Sequence, residues 1–241
     1  VAAHPGLGME VKGEMRRYLA LLLVAFVLTG CGSAEFPELD SSLLGEGSTA
    51  VYGVFQDGAR VAEVTMIVNR EAEGWSFRNA TVVDGEVLEE ATVQADHQFR
   101  PLSGRVVIRT SAGEYDIRTQ YNGRRVVIEA ETPDGPQTIK RTAREPYVDN
   151  DQFLNLIRTM PLDDGFETRV YLVAPKTATL VDARIKVEGL EEVRVPYGEF
   201  MAYRVTLIFE TVQQTAWYST EGHILLKYYN GATTLELEKM E

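Results

Sequence analysis

From Ser48 onward, apolar and polar residues alternate with a period of two. Ala62, Val64, Met66 and Val68 are interleaved with Glu63, Thr65 and Asn69, and Tyr115, Ile117, Thr119 and Tyr121 with Asp116, Arg118 and Gln120. Val181, Ala183, Ile185 and Val187 alternate with Asp182, Arg184 and Lys186, and Leu235 and Leu237 with Glu236 and Glu238. Successive side chains of a strand point to opposite faces, so the pattern predicts antiparallel strands with one dry face and one wet face. The separators are Asp57-Gly58, Asp84-Gly85, Asn122-Gly123, Asp134-Gly135 and Asn230-Gly231. These dipeptides accept the positive φ of tight hairpin turns, and their spacing predicts a meander of about eight strands over 48–142.

One segment breaks the period. Asp149 stands in a capping position with Gln152 three residues later, and Phe153, Leu156, Ile157 and Met160 fall on one helical face before Pro161 stops the run. The Asp149-Asn150-Asp151 run lacks the Gly and distal Glu of a calcium loop, so capping is its expected role. Strands are predicted again over 166–174, 180–188, 191–195, 199–209, 211–219, 223–229 and 233–239. The expected fold is mainly β: a single antiparallel, strongly curved sheet, half-barrel or barrel-like, with one helix near 150–160. A division into two domains near Glu145 is disfavoured, because the helix has an apolar face to cover and a long sheet curls to bury its inner side.

The N-terminal region has a different pattern. Residues 15–31 read MRRYLALLLVAFVLTGC, with Arg16 and Arg17 ahead of an apolar stretch over 18–28. About eleven apolar residues suit a signal peptide and fall short of the roughly 20 needed to span a bilayer. Leu28-Thr29-Gly30-Cys31 resembles the lipobox of bacterial lipoproteins. That resemblance implies a diacylglyceryl group on the Cys31 thiol and cleavage between Gly30 and Cys31. The surroundings of Arg16-Arg17 do not match twin-arginine export, so general secretion is expected. The organisation read from the sequence is a signal peptide over 1–30, of which 1–14 is an over-extended gene start ahead of Met15, then a lipidated tether over 31–47 and a β-rich domain over 48–241. The tether is rich in Ser, Gly, Glu and Pro, with a flexible reach on the order of 20 Å. Docking of Leu43 and Leu44 on the body is the alternative.

Charge sharpens this picture. The 241 residues carry 24 Lys and Arg against 36 Asp and Glu, a net charge of −12 that becomes about −13 after cleavage. An acidic body lacks the clustered cations that grip nucleic acid. Anionic head groups repel it too, leaving the lipid on Cys31 as its membrane attachment. The expected location is the cell membrane or outer membrane, facing away from the cytoplasm. Gly32 is not the Asp that, by resemblance, retains lipoproteins in the inner membrane. With 44% hydrophobic residues the chain can bury a core, and a single Cys excludes an internal disulfide.

Catalytic signatures are sparse. His97 and His223 have no spacing partners for a metal, no cofactor is implied, and no Gly-x-Ser-x-Gly elbow occurs. Glu89-Glu90, Asp163-Asp164 and Glu191-Glu192 are adjacent pairs whose side chains point to opposite faces in a strand, so no pair alone flanks a scissile bond. Two distant carboxylates could still meet in space. Arg105, Arg109, Arg118, Arg124 and Arg125 fall mostly on the wet phase, where salt bridges are expected. Among the aromatics, Trp75, Phe77, Tyr115, Tyr203, Trp217 and Tyr228 read either as core or as the lining of a pocket for an apolar ligand.

The second half carries a resemblance. Residues 153–165 (FLNLIRTMPLDDG), Val187-Glu188-Gly189, Val195-Pro196-Tyr197-Gly198-Glu199-Phe200 and Trp217-Tyr218-Ser219 resemble the exported bacterial family called domain of unknown function 3108. The likeness covers mainly 149–241, with weaker similarity over 52–75 and at Arg100-Pro101, and departs at Glu221-Gly222-His223. It implies a sheet wrapped around a helix, similar to the half-barrels of periplasmic lipoprotein carriers, which hold acyl chains in a concave apolar interior. The expected function is a non-enzymatic, lipid-anchored envelope protein binding an apolar ligand such as an acyl chain. A structural or interaction lipoprotein with a partner-binding surface is the alternative, and an envelope hydrolase a more distant one.

Overall fold

The computed structural model describes residues 37–210 and 212–241. The signal segment, Gly30, Cys31 and the first part of the tether lie outside the described residues.

The first half is the meander the turns predict: β1 (Gly47–Gln56), β2 (Ala59–Glu71), β3 (Gly74–Val83), β4 (Glu86–Ala95), β5 (Pro101–Thr110), β6 (Gly113–Asn122), β7 (Arg125–Glu131) and β8 (Gln137–Thr142). Asp57 and Gly58 have φ of 50° and 80°, and Asp84 and Gly85 51° and 84°, so both central residues of each turn are left-handed. The second half contains β9 (Tyr147–Asp149), the helix α1 (Phe153–Ile157), β10 (Glu167–Ala174), β11 (Thr179–Val195), β12 (Gly198–Phe209), β13 (Val212–Ser219), β14 (Leu225–Tyr229) and β15 (Thr234–Met240). All belong to one sheet in the order β8-β7-β6-β5-β4-β3-β2-β1-β15-β14-β13-β12-β11-β10-β9. The two halves join through the β1–β15 pair, whose register sets Tyr52 opposite Leu237 and Val54 opposite Leu235.

Several details differ from expectation. The strands predicted over 180–188 and 191–195 are one, β11, with an irregular step between Val187 and Gly189. A bulge absorbs the extra residue without ending the pairing. Strand β9 was not predicted: it is three residues long and runs parallel to β10, too short for a period to register. Helix α1 is shorter than predicted, and the expected capping box does not form. Asp149 is held in β9, where its Oδ1 accepts the Asp151 N–H at 2.8 Å, while Gln152 Nε2 donates to the Phe99 carbonyl at 2.8 Å.

Phe153, Leu156, Ile157 and Met160 are all buried, as the helical period predicts, but so are Asn155, Arg158 and Thr159. The helix fills the concave side of the sheet, and of its five residues only Leu154 is part-exposed. The main core surrounds it, drawing on β1–β4 and β10–β15. A second cluster, with Val106, Ile117, Val126, Ile128 and Val173, lies between β4–β8 and the β9–β10 edge. The last part of the tether also packs on the body. Asp40 caps a 3-10 turn over Ser41–Leu44, its N–H reaches the Thr159 carbonyl at 2.7 Å, and Leu44 joins the main core. An apolar side chain with a place in the core outweighs the disorder its composition implies.

The sheet is rolled but not closed by strand pairing. Side chains span the gap between its ends. Arg141 of β8 donates to the Ala178 carbonyl at 2.9 Å, the Tyr147 hydroxyl to the Gly123 carbonyl at 2.6 Å, and Asn79 of β3 to the Asp151 carbonyl at 2.6 Å. This polar seam positions the site described next.

Candidate functional site

The seam gathers ionisable groups from four separate parts of the chain. Alternation along β4 turns Glu89 inward, opposite Thr81 of β3 and Ile108 of β5, while Glu90 faces outward to Arg78 at 2.8 Å. The 3-10 turn Pro175–Thr177 brings Lys176 across, with its Nζ 2.7 Å from Glu89 Oε1 and 3.3 Å from Asp151 Oδ1. Asp149, 1% exposed, accepts a short hydrogen bond from the Tyr121 hydroxyl of β6. Gly104 of β5 makes room for it: a Cβ there would lie 3.2 Å from Asp149 Oδ2.

Burial controls the protonation of these groups. Removal from water, reinforced by the nearby Asp151 charge and only partly offset by the Tyr121 hydrogen bond, pushes the Asp149 carboxyl up to about 7. Burial also raises Asp151, against the pull of Lys176. Burial draws Lys176 down, yet Asp151 and Glu89 together hold it above its ordinary value. Tyr121 is raised well above the usual phenol range by burial and by Asp149.

Beside this cluster a cavity of about 510 Å³ opens on the concave side. Met66, Leu154, Leu172, Val181 and Phe209 supply the apolar part of its wall, Asn155 and Gln214 also line it, and Phe209 meets Phe153 edge to face at 6.0 Å between ring centroids. Its polar end holds Asn79, Glu89 and Asp151. Two acceptors of that end, Asn79 Oδ1 and Asp151 Oδ2, have no hydrogen-bond partner. A second cavity of about 610 Å³ lies between the 96–102 loop and Glu145–Tyr147. There Asp96 is satisfied by the backbone N–H groups of Gln98 and Arg100 and by Arg100 Nε.

Of the six aromatics read as candidate lining, Tyr228 lines the first cavity, its hydroxyl bonded to Gln214. Trp75 and Phe77 are buried in the core, and Trp75 stacks on Phe99 at 5.5 Å. Tyr203 packs edge-on to His223, and Trp217 donates to Glu191 and lies under the Lys227 ammonium at 6.0 Å. Tyr115 is half-buried on β6 and lines neither cavity. His97 is exposed, and His223 Nδ1 lies 3.0 Å from the Arg158 carbonyl. Arg105 and Arg118 pair with Asp116, and Arg109 with Glu114. Among the described residues, no group of three or more His, Cys, Asp or Glu is placed to hold a metal ion.

Sequence reasoning missed Glu89, Asp149, Asp151 and Lys176 as a group. Asp149 and Asp151 stood out only as capping residues, Glu89 as half of a surface pair, and Lys176 not at all. Chemically, the group offers two carboxylates sharing one ammonium.

Comparison with solved structures gives a β-barrel-like protein of a domain of unknown function, DUF1849, from Brucella abortus. It has a TM-score of 0.55 and 13% identity, over 81% of this chain and 97% of that one. A second similarity, to an exported protein with a YmcC-like fold from Bacteroides fragilis, has a TM-score of 0.35 and 12% identity, over 87% and 100% of the chains. The first similarity supports the rolled-sheet fold. Among curated proteins, none matches this sequence. The family model described as Protein of unknown function (DUF3108) matches residues 49–235, nearly the whole rolled sheet with its helix and seam, and the chain belongs to that family.

Proposed function

We propose that this protein is a non-enzymatic, lipid-anchored component of the cell envelope that holds the apolar chain of a ligand in the mouth of its rolled sheet. The observation that supports this reading is the cavity of about 510 Å³, within the size range of small-ligand sites, to which Met66, Leu154, Leu172, Val181 and Phe209 give a substantial apolar lining. Helix α1 fills the deeper interior, so the ligand lies at the mouth and not along the barrel axis. Nile red should bind the purified protein with increased fluorescence and be displaced by short-chain amphiphiles. Val181→Glu or Leu172→Glu, which put a charge on the wall, should abolish uptake. No uptake by the unmodified protein refutes the ligand reading.

Anchoring rests on the lipobox resemblance at Leu28-Thr29-Gly30-Cys31 and has its own test. Cys31→Ala should accumulate an uncut, unlipidated precursor, and normal processing of that variant refutes it. A second reading, an interaction lipoprotein, draws on Leu190, Tyr197 and Met201 of the β11–β12 hairpin, which are 54%, 45% and 49% exposed. A protein partner in the envelope would then crosslink to the wild type and not to Leu190→Glu/Met201→Glu, with Nile red uptake unchanged.

A further inference from the structure

The rolled sheet has two unlike ends, and the tether leads into β1 at one of them. We infer that this end rests on a zwitterionic phospholipid surface, with Leu190 and Met201 of the β11–β12 hairpin in the head-group layer and the mouth cavity turned away, an inference that rests on the anchoring reading above and adds to it a contact made by the folded body.

Hydrogen bonds tie the tether to the hairpin's side of the molecule. The Asp40 N–H donates to the Thr159 carbonyl at 2.7 Å, and the carbonyl of the preceding residue, Arg158, lies 3.0 Å from His223 Nδ1. His223 packs edge-on to Tyr203 at 5.7 Å between ring centroids, and Leu190 is the register partner of Tyr203 across β11–β12. Register partners share a face, as do residues two apart on a strand, so Leu190, Tyr203 and Met201 lie on one face of the hairpin. Asp40 is nine residues after Cys31. Even fully extended, that span covers only about 30 Å. A lipid on Cys31 therefore keeps this face near the bilayer. Val181 and Phe209 of the mouth cavity stand at the opposite ends of the same two strands.

Leu190 and Met201 are each about half exposed, and large apolar side chains grouped on one face gain by leaving water. Their burial adds to the hold of the acyl chains. Charge narrows the lipid. Glu192 is the register partner of Met201, and a Cβ on Gly189, beside Leu190, would lie 3.9 Å from Asp164 Oδ1. Carboxylates in these places are repelled by phosphatidylglycerol, whereas phosphatidylethanolamine offers them an ammonium.

The test uses the full lipidated protein in vesicles. Acylation leaves Cys31 without a free thiol, so in Leu190→Cys, Met201→Cys and Leu180→Cys the new thiol alone takes a polarity-sensitive nitrobenzoxadiazole label. Leu180 is the control, at the mouth end of β11. In vesicles of phosphatidylethanolamine and phosphatidylcholine, the labels at 190 and 201 should brighten severalfold and be quenched by doxyl-labelled lipid, while the label at 180 stays dim and unquenched. Admixed phosphatidylglycerol should weaken the quenching, and quenching that is unchanged overturns the zwitterionic assignment. Dim labels at all three positions overturn the docking surface, and equal quenching at 180 overturns the orientation. Labels at 190 and 201 that stay dim on vesicles but crosslink to an envelope protein in cells assign the face to a protein partner and overturn the bilayer contact. Labelling of the wild type, through a free Cys31 thiol, refutes the anchoring reading itself.

Discussion

At Asp149 a carboxyl that ordinarily ionises near 4 is kept dry on the seam, with its midpoint raised to about 7 by burial and by the Asp151 charge. The consequence for stability has a definite sign. Below about pH 4 the carboxyl is protonated whether the chain is folded or unfolded. Between about 4 and 7 the unfolded chain releases the proton and the folded one retains it, so stability falls as pH rises, by up to about 1.4 kcal/mol per pH unit. Asp151, also raised by burial, acts in the same direction. Asp116, Glu167 and Glu238, lowered by hydrogen bonds from Arg105, Arg184 and Arg60, act in the opposite direction but mainly below their ordinary carboxylate values. Thermal unfolding followed across pH 4.5–7 should therefore show a falling Tm, and Asp149→Asn should flatten the slope. Parallel profiles for the two proteins would show that Asp149 ionises normally. None of this was legible locally, since the sequence places Asp149 before a helix, where a capping carboxylate stays ionised.

Elements show where local pattern suffices. The hairpins of the first half were readable because alternation and Asp-Gly or Asn-Gly turns are properties of neighbouring residues, and β1–β8 follow them closely. Strand β9 was not, because a three-residue parallel pairing is decided by Val173 and Tyr171 of β10, not by anything within 147–149. Helix α1 lies between these cases: its apolar period was visible, but full burial also encloses Asn155, Arg158 and Thr159. Leu156, fully buried, should cost about 2–5 kcal/mol when replaced by Ala, measured by denaturant unfolding. Arg158 has the opposite expectation. The residue is 6% exposed; among the described residues its guanidinium finds only Ser48 Oγ at 3.2 Å, and burial lowers its pKa with no carboxylate of those residues beside it. A buried charge without a counter-ion is costly, and its removal strands no partner charge. Arg158→Met should leave the protein equally stable or raise its Tm by a few degrees, roughly 2–4 °C per kcal/mol for a chain of this size. A large loss of stability would mean that the guanidinium has an anionic partner in solution.

Across the whole molecule, strand pairing runs unbroken from β8 to β9 and stops, and side chains complete the circuit. Besides Arg141 and Tyr147, the residues that do so, Asn79, Glu89, Asp149, Asp151 and Lys176, come from β3, β4, β9, the β9–α1 turn and the β10–β11 turn. Only the roll of the sheet assembles them, which is why the fold class was legible while the site was not. Lys176 is the cation that pairs with both Glu89 and Asp151, and its removal would leave these two facing each other uncompensated. Lys176→Met should therefore loosen the seam at neutral pH, at a cost on the order of 1–3 kcal/mol. Hydrogen exchange can locate the change. Protection should fall in β4, β9 and the turn between β10 and β11, and remain high in β12 and β13, whose pairing the seam does not touch. Two further observations fix the cause as charge. Lowering the pH protonates the carboxylates and should restore protection in Lys176→Met, and adding Glu89→Gln should restore it at neutral pH. If exchange rises uniformly, or if neither treatment reverses it, the seam is held by packing of the second core cluster and the ammonium is a surface ornament of the closure.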